Sequence, residues 1–365
     1  MKKKKQKIPL SRIPMDMEIK NAVISVLDKG NFILGAKTEE FEIKFAKYCD
    51  VKYAACVSSG TAALFLALKS MGVKKNDEII IPSLSFVATA TPILMCGAIP
   101  KFAEINSKNY TINPSSIMKL ITKKTKGIIP VHLYGHPANM DEIKKIGKEN
   151  ALFVLEDSAQ AHGAKYKNLM VGSLGNASCF SFYPSKNLTV GGDGGIVVSN
   201  NNEIIEQVKK LRNHGRTQKY IHETLGYNFR FNEIQAAIGL IMLKRLTKYN
   251  NNRRRIAKIY NKILKEEVII PTEEKWAMHV YHMYTIRTKL RNKLQNLLKN
   301  EKIATGVHYP VPIHNQPIFS KFAKSKLKIT EDICNTTLSL PMFPSLKIEQ
   351  AKEIAEKVRS LHETL

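Results

Sequence analysis

Between residues 50 and 200, short strand-like runs alternate with helical patterns, and this alternation constrains the fold more than any other feature of the chain. "KYAACVSS" (52–59) predicts a strand, and "GTAALFLALKSMG" (60–72) a helix, with apolar residues at helical spacing and Gly72 as a stop. "DEIIIPS" (77–83), "IPKFAEI" (99–105), "KGIIPVHLYG" (126–135) and "ALFVLED" (151–157) predict further strands. Helices are expected over "SFVATATPILMCG" and "NMDEIKKIGKEN" between them. Alternation at this spacing implies a mainly parallel sheet covered by helices on both faces.

Beyond "GGIVVSNN" (194–201) the texture changes to long helical stretches, 203–212 and 232–265. "VYHMYTIR" (280–287), "KLRNKLQNLLKNEKI" (289–303) and "IEQAKEIAEKVRSL" (348–361) then alternate strand and helix again, as in a smaller α+β unit. A chain of 365 residues has room for both. Residues 1–245 are assigned to a large α/β domain that includes the N-terminal segment, and 246–365 to a small α+β C-terminal domain.

Several classes are set aside on composition. No stretch approaches 18 uninterrupted apolar residues, so no membrane partner is expected. The basic Met1–Lys5 stretch is followed by Ile8-Pro9-Leu10-Ser11-Arg12 and not by an apolar core, which argues against a secretory signal. Cys49, Cys56, Cys96, Cys179 and Cys334 show no C-x-x-C spacing and leave one over, so neither a metal site nor a disulfide framework is expected. A reduced, cytoplasmic setting follows. The formal charge of +26 comes from lysines spread along the whole length, mostly on wet helix faces. Arg253-Arg254-Arg255 lacks interleaved aromatics, and the expectation is a solvated surface favouring small anionic substrates, without a nucleic-acid partner.

Three constellations carry chemistry. "SSGTAAL" (58–64) runs from a strand through Gly60 into a helix N-terminus, where free N–H groups and the helix dipole suit a phosphate; an ordinary N-cap is the alternative. "LEDSAQAHGA" (155–164) places Asp157 at the C-terminal end of an apolar strand, the edge at which open α/β sheets bind ligands. A bare carboxylate there needs a cation or donor, and a protonated pyridine nitrogen is one such partner; a helix N-cap is the rival role. "SFYPSKNLTVGGDGG" (181–195) delivers Ser181 and then Lys186 across a Pro184 turn. A lysine that forms an imine must be desolvated so that its amine is available at neutral pH. No phosphate-binding G-x-x-x-x-G-K-[ST] loop, dinucleotide G-x-G-x-x-G or H-E-x-x-H motif is present.

These pieces occur in order with L-R-N-H-G-R, G-Y-N-F-R-F-N-E-I-Q-A-A-I-G and H-Y-P-V-P-I-H. Together, over roughly residues 8 to 360, they resemble the sugar aminotransferases of the DegT/DnrJ/EryC1/StrS family. The resemblance implies an α/β, aspartate-aminotransferase-like (fold-type I) architecture and pyridoxal 5′-phosphate bound as an imine to Lys186. It further implies that Asp157 pairs with the pyridinium nitrogen and that Gln160 meets the phenolic oxygen. Ser59, Gly60, Thr61 and Ser181 would hold the phosphate, and Phe86 would stack on the ring. Asn228 would reach the phosphate in a neighbouring subunit, making a homodimer with shared active sites, while His308, Tyr309 and His314 would line the substrate mouth.

Under this resemblance L-glutamate donates the amino group, which passes to a keto group of a nucleotide-linked deoxysugar, with Lys186 shuttling the proton. "VHLYGHPANMD", "AQAHGA" and "GDGG" resemble enzymes acting on 3-keto, dTDP-linked sugars; "GYNFRFNEIQAAIG" also resembles 4-keto enzymes such as perosamine synthases. A cofactor-binding regulator without turnover is a further alternative, which the joint presence of Asp157, Gln160 and Lys186 argues against.

Overall fold

The computed structural model describes residues 7–323 and 326–365, so the basic Met1–Lys5 stretch lies outside the described residues. Seven strands form the central sheet: β1 (Tyr53–Val57), β2 (Glu78–Pro82), β3 (Ile99–Ala103), β4 (Thr125–Ile128), β5 (Phe153–Asp157), β6 (Ala177–Ser181) and β7 (Gly195–Ser199). Their spatial order is β1-β7-β6-β5-β4-β2-β3. Strands β2 to β6 pair in parallel, and β7 runs antiparallel to both of its neighbours, β1 and β6.

Side chains alternate across a pleated strand, and the burial follows that period. Ala54, Cys56, Ile80, Val154, Phe180, Ile196 and Val198 enter one buried cluster, while Ala55, Val57, Ile79, Ile81, Leu155, Cys179 and Val197 enter another. Both faces are therefore covered, as the sequence predicts for a parallel sheet. The helix Gly60–Ser70 shows the strength of this packing, with every residue from Ala62 to Leu68 buried. Truncating a fully buried leucine such as Leu66 to alanine removes roughly 2–5 kcal/mol. All five cysteines are buried and free, as small core residues.

Some elements differ from the expectation. The segment after β2 is not one helix but a 3₁₀ turn, Val87–Thr89, followed by a short helix, Thr91–Met95, that starts afresh with Pro92 in its first turn. The fourth strand stops at Ile128, before Pro130. In the C-terminal part the strand is confined to Tyr284–Arg287, antiparallel to Thr337–Leu340. The helices Met17–Lys29 and Ala36–Tyr48 had no expectation attached to them. Glu233 fastens the second of these, its carboxylate accepting from the N–H groups of Gly35, Lys37 and Thr38.

One 32-residue helix, Glu233–Leu264, joins the two cores. Its Ala236, Met242 and Leu246 pack on the sheet, and its Ile256, Tyr260 and Leu264 pack in a C-terminal cluster that also takes Ile8. The boundary expected at residue 245 thus falls inside a continuous helix, and the N-terminal segment packs Ile8 into the C-terminal cluster, bridged to Ile303.

Candidate active site

A cavity of about 390 Å³ opens where the parallel strands end. Ser59 follows β1, Phe86 follows β2, Asp157 closes β5, and Ser181 ends β6 with Lys186 in the loop beyond it. Open α/β sheets collect ligand-binding loops at this edge because successive strands point there in common.

Lys186 lines the wall and is partly accessible from the cavity. Its enclosure pushes the ammonium down to about 8, with the Asp157 carboxylate pulling the other way. Asp157 is only 4% exposed. Burial raises its pKa, opposed by the Thr89 hydroxyl donating at 2.8 Å to Oδ2, the Ala159 N–H donating at 3.2 Å to Oδ1, and the charge on Lys186. Ser85 Oγ lies 2.7 Å from Thr89 Oγ1 and extends this chain of hydroxyls.

At one corner of the cavity Ser59 caps the helix Gly60–Ser70, its hydroxyl oxygen accepting from Ala62 N–H at 3.1 Å. A Cβ on Gly60 would sit 2.7 Å from Ser181 Cβ, so only glycine lets the helix N-terminus come this close to β6. Gly60, Thr61 and Ser181 line the same end of the site.

Gln160 is fixed from both sides. Its Oε1 accepts from Tyr134 N–H at 2.8 Å, and its Nε2 donates to the Tyr309 hydroxyl oxygen at 3.1 Å. Phe86 is 54% exposed at the mouth, with its ring centroid 5.8 Å from that of Tyr309. His308 also lines the cavity, with Nδ1 2.9 Å from Ser339 Oγ. Burial, aided by the charge on Lys186, pushes its ring down to about 4, so it is neutral at ordinary pH.

Two expected residues lie elsewhere. His314 is not at the mouth. Ile313 N–H donates to Ser83 O, which fastens the turn to the end of β2, and the His314 ring is buried with Ser83 Oγ at Nδ1 and Glu331 Oε1 at Nε2, 3.3 Å away. Asn228 is exposed, bridged through its backbone to Asn213, and does not line this chain's cavity. Conversely, Thr89, Tyr183, Asp193 and His282 line the cavity without having been expected there. A polar residue inside an apolar run, as His282 is in "VYHMY", is the signal that could have found one of them. Among the described residues, no group of three or more His, Cys, Asp or Glu is placed to hold a metal ion.

The model of the DegT/DnrJ/EryC1/StrS aminotransferase family matches residues 14–359. The chain belongs to that family. It is 40% identical over 351 residues to a pleiotropic regulatory protein of Geobacillus stearothermophilus, covering 94% of each chain. Identity is also 40% over 351 residues to a UDP-N-acetyl-3-dehydro-alpha-D-glucosamine 3-aminotransferase of Acidithiobacillus ferrooxidans, covering 96% of this chain and 95% of the other. GDP-perosamine synthase of Escherichia coli O157:H7 is 38% identical over 343 residues, 92% of each chain. The crystal structure of S. venezuelae DesV superposes with a TM-score of 0.96 at 37% identity, over 99% of this chain and all of that one.

This family member is an aminotransferase that uses pyridoxal 5′-phosphate. The residues present fit that group on three counts. Among the described residues the buried Asp157 carboxylate accepts one hydroxyl and one N–H hydrogen bond and would gain from a cation placed against it. Lys186 carries an amine shifted towards its neutral form. Gly60 leaves a close-fitting corner at a helix N-terminus, where N–H groups meet a phosphate.

Proposed function

We propose that the chain transfers the amino group of L-glutamate to the C3 keto carbon of a nucleotide-linked deoxysugar, with a dTDP-linked 3-keto sugar as the leading candidate. The reading is carried by one arrangement: Asp157 and Lys186 share a cavity with the Ser59–Thr61 helix N-terminus, in a chain 40% identical to a 3-aminotransferase acting on a nucleotide sugar.

Pyridoxal 5′-phosphate supplies the electron sink that accepts charge from the carbon losing its proton. This chain's own groups do the rest. Asp157 would hold a positive charge on the pyridine nitrogen, because a carboxylate already desolvated by burial gains most from a cation. Ser59, Gly60, Thr61 and Ser181 would grip the phosphate. Gln160, locked by Tyr134 and Tyr309, would present its amide to the ring oxygen. Phe86 would cover one ring face. Lys186, whose ammonium enclosure lowers to about 8, would take the proton from the amino-acid carbon in its neutral form and return it on the other side of the exchange. His308 and Tyr309 would border the sugar, and Asn228 would reach the phosphate of a second copy, in a homodimer with shared sites.

The second reading, amination at C4, has an observation of its own: the 38% identity to GDP-perosamine synthase. Incubation with L-glutamate alone tests the first half-reaction, which a regulator without turnover would not perform. The aminated protein, offered 3-keto and 4-keto sugars on dTDP, UDP and GDP, then assigns the position by NMR of the product. Amination at C4 alone would overturn the C3 reading.

A further inference from the structure

The motif H-Y-P-V-P-I-H touches the loop that carries Phe86 at two places, and only one of them faces the cavity. Tyr309 lines the cavity, with its ring centroid 5.8 Å from that of Phe86. His314, further along, is 2% exposed and meets the start of the same loop. There its Nδ1 faces Ser83 Oγ, and the Ile313 N–H donates to the Ser83 carbonyl at 2.9 Å. Ser83 directly follows β2 and leads through Leu84 and Ser85 to Phe86. One segment thus holds this loop at both of its ends.

Chemistry assigns the donors along this link. Glu331 Oε1 lies 3.3 Å from His314 Nε2 and also accepts from Leu327 N–H at 3.2 Å. The hydrogen bond from His314 outweighs burial and holds the Glu331 carboxyl below its ordinary range. An ionised carboxylate only accepts, so His314 carries a proton on Nε2. Nδ1 of the neutral ring is then a lone pair, and the Ser83 hydroxyl donates to it. Glu331 stands in the helix Lys328–Thr336, which is itself tied to the end of β3. There the Glu104 carboxylate accepts from the N–H groups of Ile329 and Thr330, each at 3.0 Å. Serine, histidine and carboxylate stand in the order of a hydrolytic triad, but Ser83 is fully buried and no substrate reaches its hydroxyl. The link holds and does not attack.

What it holds is Phe86. That side chain is 54% exposed, so its ring takes its place mainly from the backbone beneath it. The backbone is secured on both sides. After Phe86, the Thr89 N–H donates to the Phe86 carbonyl at 3.0 Å, while the Thr89 hydroxyl is spent on Asp157. Before it, Leu84 enters the same buried cluster as Ile333 of the helix Lys328–Thr336, and Ser83 is bound to His314. We propose that His314 is a positioning residue for Phe86, fixing through Ser83 where that ring meets the cofactor. This role rests on Phe86 covering the cofactor ring, as in the reading above. The histidine expected to touch the sugar thus acts on the cofactor instead, from behind the cavity wall and in contact with neither.

The test uses cofactor-free full-length protein and pyridoxamine 5′-phosphate, which binds without bonding to a lysine. Calorimetry gives the affinity, and the circular dichroism induced in the bound ring reports how firmly its surroundings are fixed. Phe86→Ala should weaken affinity about tenfold and reduce the induced signal. His314→Leu should do the same, and His314→Asn, whose Oδ1 accepts from Ser83, should recover most of both. Ser83→Ala removes the same contact by a smaller change, should cost about threefold, and replaces the leucine variant if that one does not fold. The deciding measurement combines two changes. In a Phe86→Ala background, His314→Leu or Ser83→Ala should cost less than about twofold more, because nothing is left to position. A full further loss there would mean a merely structural role and overturn the proposal. Wild-type affinity and dichroism in His314→Leu or Ser83→Ala would also overturn it, as would a His314→Asn variant as weak as the leucine one. Wild-type behaviour of Phe86→Ala alone would instead defeat the placement of Phe86 over the ring.

Discussion

Asp157 and Asn228 belong to regions built on opposite terms. Around Asp157 several polar side chains are held by partners within the chain: Thr89 and Ala159 on the carboxylate, Tyr134 and Tyr309 on Gln160, and Asn187 at Nδ1 of His282. Around Asn228 the chain is open. Tyr220 and Leu225 are 82% and 77% exposed, and the hairpin strands Arg216–Gln218 and Ile221–His222 bury nothing. Charge chemistry needs groups whose orientation is settled before the substrate arrives, and a desolvated network supplies that. The proposed contact of Asn228 with a second copy would instead need a surface left uncommitted in the single chain.

The largest expected effect tests the enclosed region. Lys186→Ala should leave no measurable turnover and no visible absorbance from attached cofactor, since among the described residues no other lysine lines that cavity. Asp157→Asn should leave a folded protein whose turnover falls about 10²–10³-fold, the range for losing one preorganised electrostatic group. Rates near wild type in either variant would empty the enclosed region of its proposed chemistry.

The open region is tested by mixing. Asn228→Ala should weaken cofactor retention and turnover, and co-expression with Lys186→Ala should restore part of the activity, because a mixed dimer has one site with both residues native. Verified mixed dimers without restored activity would sink the shared site. Thr89→Val, smaller still, removes one of the two donors to Asp157 and should cost about tenfold in turnover. The smallest effect is in pH. Because enclosure lowers Lys186 to about 8, the neutral amine grows in as pH rises, so cofactor attachment should accelerate through pH 8 and level off above it. A rate still climbing steeply at pH 10 would show an ordinary surface lysine.

The enclosed region was also the legible one. Asp157, Lys186 and the Ser59–Thr61 corner lie at junctions where a strand ends and the chain must turn, and such junctions leave local marks: an apolar run, a proline, a glycine. Thr89 left none, because its link to Asp157 spans 68 residues and depends on a 3₁₀ turn that replaced the expected helix. His314 was misplaced for the same reason. Its motif, H-Y-P-V-P-I-H, contains His308 on the cavity wall and His314 buried against Ser83, a partner 231 residues away that nothing local announces. The sheet's parallel character was legible from alternation, whereas the reversed β7 was not, since pairing partners are set by tertiary packing.

That reversed strand has a bearing on how the protein is made. β1 sits at the sheet edge and hydrogen-bonds to β7 alone, Tyr53 opposite Ser199. During synthesis the first strand to leave the ribosome therefore waits, apolar on both faces, until the last strand of the sheet has emerged. Loop closure over so long a stretch is slow, and an unpaired apolar edge invites pairing with another nascent chain. The corner at Ser59–Thr61, which grows directly out of β1, is thus expected to take its final place only once the strand beyond Lys186's loop has been made.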